Sequence, residues 1–267
     1  MSLQEFEKWL KLNYNAEATI TNYLGHLIRY FNFSNGVFDQ ENVDNYLLKQ
    51  KEENVSKNTF CSILTALKVY NQFNKTEIKF PKYQKADKRL KEYITEEQLK
   101  DILKYIPLLF DDYKQYSLVL EVFFYTGMRK KEIFNFKVSD IIWDKKKFRI
   151  QNTKTGIDRA VPFFNNNKLI NALKEHIKGL QGDKLFTLTP AQIEYMFDKI
   201  QAELNFEKFH PHLLRTSFAK HCVRNGVDAF TLSLYLGHAD IKTTQIYAEP
   251  DEQMALDIGN NITFNKG

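Results

Sequence analysis

Residues 210–247 read HPHLLRTSFAKHCVRNGVDAFTLSLYLGHADIKTTQIY, and the spacing inside this stretch decides what kind of fold carries it. Leu214, Phe218 and Cys222 recur every four residues, the period of one helical face turned to a core. Pro211 sits in the first turn of that helix, where a missing N–H is no loss. His212 and Arg215, three residues apart, share a different face and can reach one small target. Gly226 ends the helix. Asp228 caps the next one, in which Phe230, Leu232 and Leu234 are expected to pack inward, and Gly237 ends that one. His238 therefore directly follows a helix terminus. Asp240 is placed to cap a last helix, which carries Tyr247. Two histidines, an arginine and a tyrosine are thus presented by short helices with apolar backs.

Working outward, the chain before this stretch reads as mainly helical with one small antiparallel sheet. Thr95 caps a helix whose apolar face is Leu99, Ile102, Leu103 and Ile106. Tyr113 to Tyr125 is apolar enough to be a buried helix, and Gly127 stops it. Arg129 follows at once, held on a short turn before a helix restarts at Lys130. Strands come next. Ile141-Ile142-Trp143, Phe148-Arg149-Ile150-Gln151 and Arg159-Ala160-Val161-Pro162-Phe163 are separated by turns, with Lys154 at or near a hairpin tip. Leu169 to Ile177 and Thr189 to Leu204 read as helices.

Residues 2–74 are helical throughout. Ser2 and Glu5 form a capping box, and Phe6, Leu10 and Leu12 begin an apolar face. Ile20, Tyr23, Leu24, Leu27, Ile28 and Phe31 give a second helix its face before Asn35-Gly36 breaks it. A third helix follows Asp39, and a fourth opens at Ser56 with Phe60, Ile63, Leu64, Leu67 and Tyr70 on one side. Four short helices with brief connections make a small bundle. The boundaries read as 1–78 for this bundle, 79–92 for a basic linker containing Pro81 and six Lys or Arg between Lys79 and Lys91, and 93–267 for a second domain with a C-terminal tail. Phosphate contact and plain solubility are both open readings of the linker charge.

The totals exclude several function classes. The chain has 267 residues, 43% of them hydrophobic with 22 Phe and 14 Tyr, which supports a sizeable core and argues against global disorder. Lys and Arg outnumber Asp and Glu by 38 to 33, a formal charge of +5 that permits a nucleic-acid partner without demanding one. Cys61 and Cys222 lie far apart, outside any disulfide framework or zinc-ribbon spacing. The first residues lack the basic and apolar regions of a signal peptide. No run reaches the ~18 apolar residues of a membrane span. The expected setting is a reducing cytoplasm, with no membrane partner.

The singled-out residues point to phosphodiester chemistry. Attack on a phosphodiester builds negative charge on its non-bridging oxygens, and two guanidiniums, Arg129 and Arg215, can each donate paired hydrogen bonds there. His238 can add another. Tyr247 can form a covalent phosphoester, but a phenol of pKa ~10 needs a base to take its proton. His212 is the candidate base. The leaving 5′-oxygen needs a proton, which Lys154 on its hairpin can deliver. Glu132 is read as orienting an arginine or stabilising a helix start. No acidic cluster accompanies these groups, so neither a metal nor another cofactor is expected.

The order of these residues carries a resemblance. Thr126-Gly127-Met128-Arg129-Lys130-Lys131-Glu132 comes first, then Lys154 on a β-turn, then His212-Leu213-Leu214-Arg215, Leu236-Gly237-His238 and Tyr247. In this the chain resembles the tyrosine recombinases, the phage-integrase and Xer-like enzymes, over nearly its whole length. One departure is visible: Thr216 stands where the family usually has a histidine after the arginine. The resemblance implies a helical, SAM-like core-binding domain at the N-terminus and a catalytic domain after it. It implies site-specific DNA recombination or integration through a covalent 3′-phosphotyrosine, without metal or ATP. The implied catalytic set is Arg129, Lys154, His212, Arg215, His238 and Tyr247. The implied partner is a double-stranded DNA recombination site, bound by a homotetramer whose free form is a monomer. The apolar tail residues Met254, Leu256, Ile258, Ile262 and Phe264 can dock on a neighbouring subunit or on their own domain. Two rivals share these residues: a type IB topoisomerase-like nicking-resealing enzyme, and a catalytically silent DNA-binding regulator of the same fold. A metal-dependent nuclease would instead lose activity to a chelator.

Overall fold

Ser2 and Thr95 open the two halves of the chain in the same way. Each accepts a hydrogen bond from the backbone N–H three residues on, and the side chain there, Glu5 or Gln98, reaches back to the cap N–H. The computed structural model describes residues 2–82, 92–151, 158–238 and 240–248. The chain divides into two compact units, Met1–Arg89 and Leu90–Gly267.

The first unit is a bundle of α1 (Leu3–Asn13), α2 (Glu17–Phe33), α3 (Gln40–Glu52) and α4 (Lys57–Asn74). Its core gathers Phe6, Leu10, Leu27, Tyr30, Val43, Leu67 and Tyr70. The core is aromatic, with Tyr70 edge-on to Phe6, Phe31 and Phe38 at 4.7–5.2 Å between ring centres. Two expected core residues lie outside it: Leu12 is 80% and Ile28 47% exposed. Leu12 is two residues from Leu10, a 200° step that turns it to solvent, and Ile28 adjoins the buried Leu27 at the edge of its face. Residues 78–80 are tied to this bundle. Gln40 donates to the Lys79 carbonyl and accepts from its N–H, and Ile78 and Phe80 pack on the core.

In the second unit α5 (Glu96–Leu109) and α6 (Tyr113–Thr126) lead to α7 (Lys130–Phe134). Strands β1 (Ile141–Ile142), β2 (Lys147–Ile150) and β3 (Arg159–Pro162) form an antiparallel sheet in that order, with Phe148 opposite both Ile141 and Val161. Then come α8 (Asn167–Lys178), α9 (Pro190–Glu203), α10 (Pro211–Arg224), α11 (Ala229–Leu236) and α12 (Lys242–Ala248). The fold is therefore mainly α with one small antiparallel sheet. Helix α6 is the centre of the core, with Leu118, Val119, Leu120, Val122, Phe123 and Phe124 all buried, and α10 packs along it through Leu214, Phe218 and Cys222. The serine hydroxyl of Ser217 on α10 accepts from the buried N–H of Ile94, pinning the start of the unit to this helix.

Helix α11 differs from the expected arrangement. Leu232 and Leu236 face the core, whereas Phe230 and Leu234 are 64% and 55% exposed. Residues at i and i+2 lie on opposite sides of a helix, so Phe230, Leu232 and Leu234 cannot share one buried face. The i, i+4 pairs divide them: Leu232 with Leu236 inward, Phe230 with Leu234 outward. Among the described residues no helix is long and apolar enough to cross a membrane.

Candidate active site

Two left-handed glycines shape the site. Gly127 (φ +61°) closes α6, and its carbonyl accepts from Arg215 Nη1 at 2.7 Å. A β-carbon at 127 would stand 2.5 Å from Phe218 Cδ1, so glycine is required there by contact as well as by conformation. Gly237 (φ +62°) closes α11 in the same way. These two turns bring Arg129 and His238, each the second residue or next after a helix stop, to the side chain of Arg215.

Arg215 is 3% exposed on α10. Its Nη2 donates to the Leu236 carbonyl (2.6 Å) and approaches His238 Nε2 (3.0 Å). A guanidinium only donates, so His238 Nε2 is the acceptor and the ring proton lies on Nδ1. There Thr244 Oγ1, fully buried on α12, accepts it at 2.8 Å. Burial, and then the charges of Arg129 and Arg159, push the Arg215 pKa down to about 9 against the opposing pull of Glu132 and Tyr247. Arginine stays protonated in proteins, so the depression marks a cation that is buried and crowded by other cations.

Arg129 is half-buried at the N-cap of α7. Its Nη1 pairs with Glu132 Oε1 at 2.9 Å, its backbone N–H donates to Glu132 Oε2 at 2.6 Å, and its Nη2 donates to the Gly237 carbonyl at 3.2 Å. Glu132, read from the sequence as orienting an arginine or stabilising a helix start, does both. Its carboxylate also takes a two-pronged pair from Arg159, Nη1 to Oε1 and Nη2 to Oε2, both 2.7 Å. Burial alone would raise the Glu132 pKa; the bonds and charge of Arg159, then those of Arg129, outweigh it and hold the acid below its ordinary value.

A cavity of about 340 Å³ opens beside these groups, lined by Met128, Arg129, Lys130, His210, Pro211, His212 and Arg215. His212 is exposed on the first turn of α10. His210 is the N-cap of that helix: its Nδ1 accepts from the Leu213 N–H at 3.0 Å. Tyr247 lies on α12, 2% exposed, its ring stacked on His238 at 6.3 Å between centres and 20° between planes. Five of the six expected residues thus gather: Arg215 and His238 through a direct contact, Arg129 through the carbonyl of Gly237 beside His238, His212 on the same cavity, and Tyr247 against His238. Lys154 lies outside the described residues. The end of β2 and Gln151 are held by buried Asp140, which accepts from Arg149 Nε and Nη2 at 2.9 and 2.8 Å and from Gln151 at 3.0 Å.

Sequence reasoning missed Arg159 and Thr244. A signal existed for Arg159, since strand alternation puts it on the same face as Val161 and Phe163, and a cation on an inward face requires a buried partner. Thr244 carried none, standing beside an identical Thr243 with nothing local to separate them. Among the described residues no three His, Cys, Asp or Glu side chains gather as metal ligands would.

Comparison with known proteins bears on the same region. The sequence pattern of the Phage integrase family matches residues 92–254. A tyrosine recombinase XerA of Thermococcus onnurineus is 26% identical over 260 residues, 92% of this chain and 90% of the relative. Among solved structures, the XerH site-specific recombinase in a pre-cleavage complex with its difH substrate superposes with a TM-score of 0.70 at 22% identity, covering 98% of this chain and 85% of that one. A lambda integrase dimer bound to a COC′ core site gives 0.73 at 17% identity, over 99% and 79%. The two structural likenesses speak to the fold alone; the family match spans more than half the chain and contains all five gathered residues, and the chain therefore belongs to the phage integrase family and is a tyrosine recombinase.

Proposed function

We propose that the chain cleaves and rejoins a double-stranded DNA site through a covalent 3′-phosphotyrosine on Tyr247. The observation that carries the reading is the cavity lined by Arg129, His212 and Arg215, in which the buried Arg215 guanidinium is paired with no anion among the described residues. A scissile phosphate supplies that anion. Arg129 and Arg215 bind its non-bridging oxygens and oppose the charge that develops during attack. His238 donates a further hydrogen bond from Nε2 once the phosphate has displaced it from Arg215. His212 takes the phenolic proton as Tyr247 Oη attacks phosphorus. The bond to the 5′-oxygen breaks, and Lys154 protonates the leaving group. The phosphotyrosine keeps the energy of the broken ester, so a 5′-hydroxyl from another strand reverses the step without ATP. No metal enters this scheme, because cationic side chains hold the charge.

Tyr247 is buried, so α12 has to yield for the phenol to reach phosphorus in line. In the assembled enzyme the bundle of the first unit serves as the core-binding domain, the lysine-rich segment as the link, and a homotetramer holds two duplexes. The setting proposed is the cytoplasm. The supporting facts are the family match, DNA-bound relatives such as XerH with difH, and the charge excess.

The test is covalent capture from a pool of nicked duplexes of randomised sequence, in which release of a short 5′-fragment blocks rejoining. Wild type should form a denaturant-resistant adduct, in EDTA as well as in magnesium, and Tyr247→Phe should form none. An adduct on the variant would place the nucleophile elsewhere, with Tyr235 next to test. The captured duplex then serves in a two-duplex assay. Strand exchange is expected; relaxation of supercoiled plasmid without exchange would instead support the topoisomerase-like activity.

A further inference from the structure

Three consecutive carbonyls end helix α11, and each is bound by a different arginine. The Tyr235 carbonyl accepts from Arg159 Nε at 2.7 Å, that of Leu236 from Arg215 Nη2 at 2.6 Å, and that of Gly237 from Arg129 Nη2 at 3.2 Å. The last carbonyls of a helix lack partners within it and carry the negative end of its dipole, so this terminus gathers cations. Two of the three, Arg129 and Arg215, line the phosphate cavity. The third does not. Arg159 comes from β3 with its side chain 4% exposed, and its Nη1 and Nη2 each donate to one oxygen of Glu132.

We propose that Arg159 is a positioning residue for strand cleavage, fixing Arg129 through Glu132 and fixing the turn that presents His238 through the Tyr235 carbonyl. The assignment rests on the phosphodiester reading of the cavity and extends it to a residue outside that cavity.

The geometry gives the reason. Glu132 accepts four hydrogen bonds, two on each oxygen, and so fills the acceptor sites of a carboxylate. Two of the four come from Arg159. Without them the carboxylate can swing toward Arg129 alone and draw its Nη1 into a tighter pair, away from the phosphate. With them, the carboxylate plane is set by a rigid fork, and the Arg129 guanidinium is held between Glu132 and the Gly237 carbonyl. Arg159 also contacts the α11 turn directly: a β-carbon built on Gly237 would lie 2.9 Å from Arg159 Cδ. The packed side chain therefore sets how closely the 235–237 backbone approaches β3. Because that backbone binds all three arginines, a change at Arg159 moves the Arg129 contact and His238 together. Lysine cannot substitute, since an ammonium has neither the fork for two carboxylate oxygens nor the Nε–H for the carbonyl.

The experiment is a double-mutant cycle on the rate of covalent adduct formation, using the full chain, the duplex captured as above, and DNA at saturating concentration. Arg159→Lys should slow adduct formation about 100-fold, the cost of a displacement near 1 Å in a reacting group, while leaving the DNA concentration for half-saturation within about twofold, since Arg159 does not reach the phosphate. In an Arg129→Ala background the same change should cost less than about fivefold, because one of the two groups it positions is gone and only the part carried by the His238 turn remains. An adduct rate for Arg159→Lys within twofold of wild type overturns the assignment, as does an equal cost with and without Arg129, which would mean an independent or merely structural effect. If circular dichroism shows Arg159→Lys unfolded at the assay temperature, Glu132→Gln goes through the same cycle, since it keeps the volume of the bridging side chain; additivity with Arg129→Ala there also overturns the assignment. Failure of wild type to form any adduct is a different result, and sinks the strand-cleavage reading itself.

Discussion

His238 faces two demands that one tautomer cannot meet. In the structure its Nε2 accepts from Arg215 and its Nδ1 donates to Thr244. Facing a phosphate oxygen, Nε2 has to donate, and in a neutral ring Nδ1 then becomes an acceptor. A threonine hydroxyl serves both states, because it can accept from Nδ1–H or rotate to donate to Nδ1. No carbonyl or amide N–H could do so. Thr244→Val keeps the shape and removes the hydroxyl. It takes away the hydroxyl partner of a half-buried ring nitrogen, at a cost of about 1–3 kcal/mol, so adduct formation should slow by about tenfold or more. Thr244→Ser should stay within about threefold of wild type, because the hydrogen bond survives. A valine variant as fast as wild type would remove the hydroxyl from the mechanism. At this scale the sequence is readable only in combination. Arg129 and His238, each shortly after a helix-stopping glycine, stand out only through their order along the chain with the other site residues. Thr244 does not stand out, because its role depends on which of two adjacent threonines the short α12 turns inward, and seven residues leave that phase undetermined.

Among the elements, α6 and α10 are coupled by one contact that links folding to the site. Gly127 both ends α6 and lets Phe218 lie against its Cα, and its carbonyl holds Arg215 Nη1. Gly127→Ala would place a methyl 2.5 Å from the Phe218 ring at a φ of +61°. The left-handed strain and the overpacking together should cost about 2–4 kcal/mol, seen as a lowered urea midpoint with unchanged slope. The adduct rate should fall as well, since Phe218 lies one turn from Arg215 on α10 and cannot shift alone. Stability lost with full activity retained would separate the two roles. The same pair of helices shows why part of the fold was legible. Leu214, Phe218 and Cys222 keep a strict four-residue period across a helix of fourteen residues, and all three are buried. Helix α11 has eight residues and apolar side chains on both faces, so period alone could not tell Leu232 from Phe230 and Leu234. Arg159 falls between these cases. Its inward face follows from β-alternation, but its partner Glu132 is 27 residues away in sequence, and only the packed sheet and α7 join them.

Among the described residues there are two hydrophobic cores, one in each compact unit, and no residue is shared between them. Each core supports its own cooperative unfolding, so equilibrium denaturation is expected to show two transitions. The chain carries its own reporters. It has two tryptophans, Trp9 in the first unit and Trp143 in the second. Trp9 packs on Phe6 at 6.0 Å and Phe73 at 5.7 Å between ring centres, while Trp143 is edge-on to Phe163 at 5.9 Å. Trp143→Phe therefore leaves fluorescence that follows the bundle alone, and Trp9→Phe leaves fluorescence that follows the larger unit. In urea the Trp9→Phe curve should be the steeper, because the slope grows with the surface exposed and the second unit is about twice as long. The two midpoints should differ, and circular dichroism of wild type should be the sum of both curves. Adding the captured duplex should then raise both midpoints if both units bind DNA, by an amount set by ligand concentration over Kd. A rise confined to the Trp9→Phe curve would assign DNA binding to the second unit alone and remove the bundle from the proposed core-binding role. Coincident midpoints and slopes without DNA would instead mean that the units unfold as one, despite their separate cores.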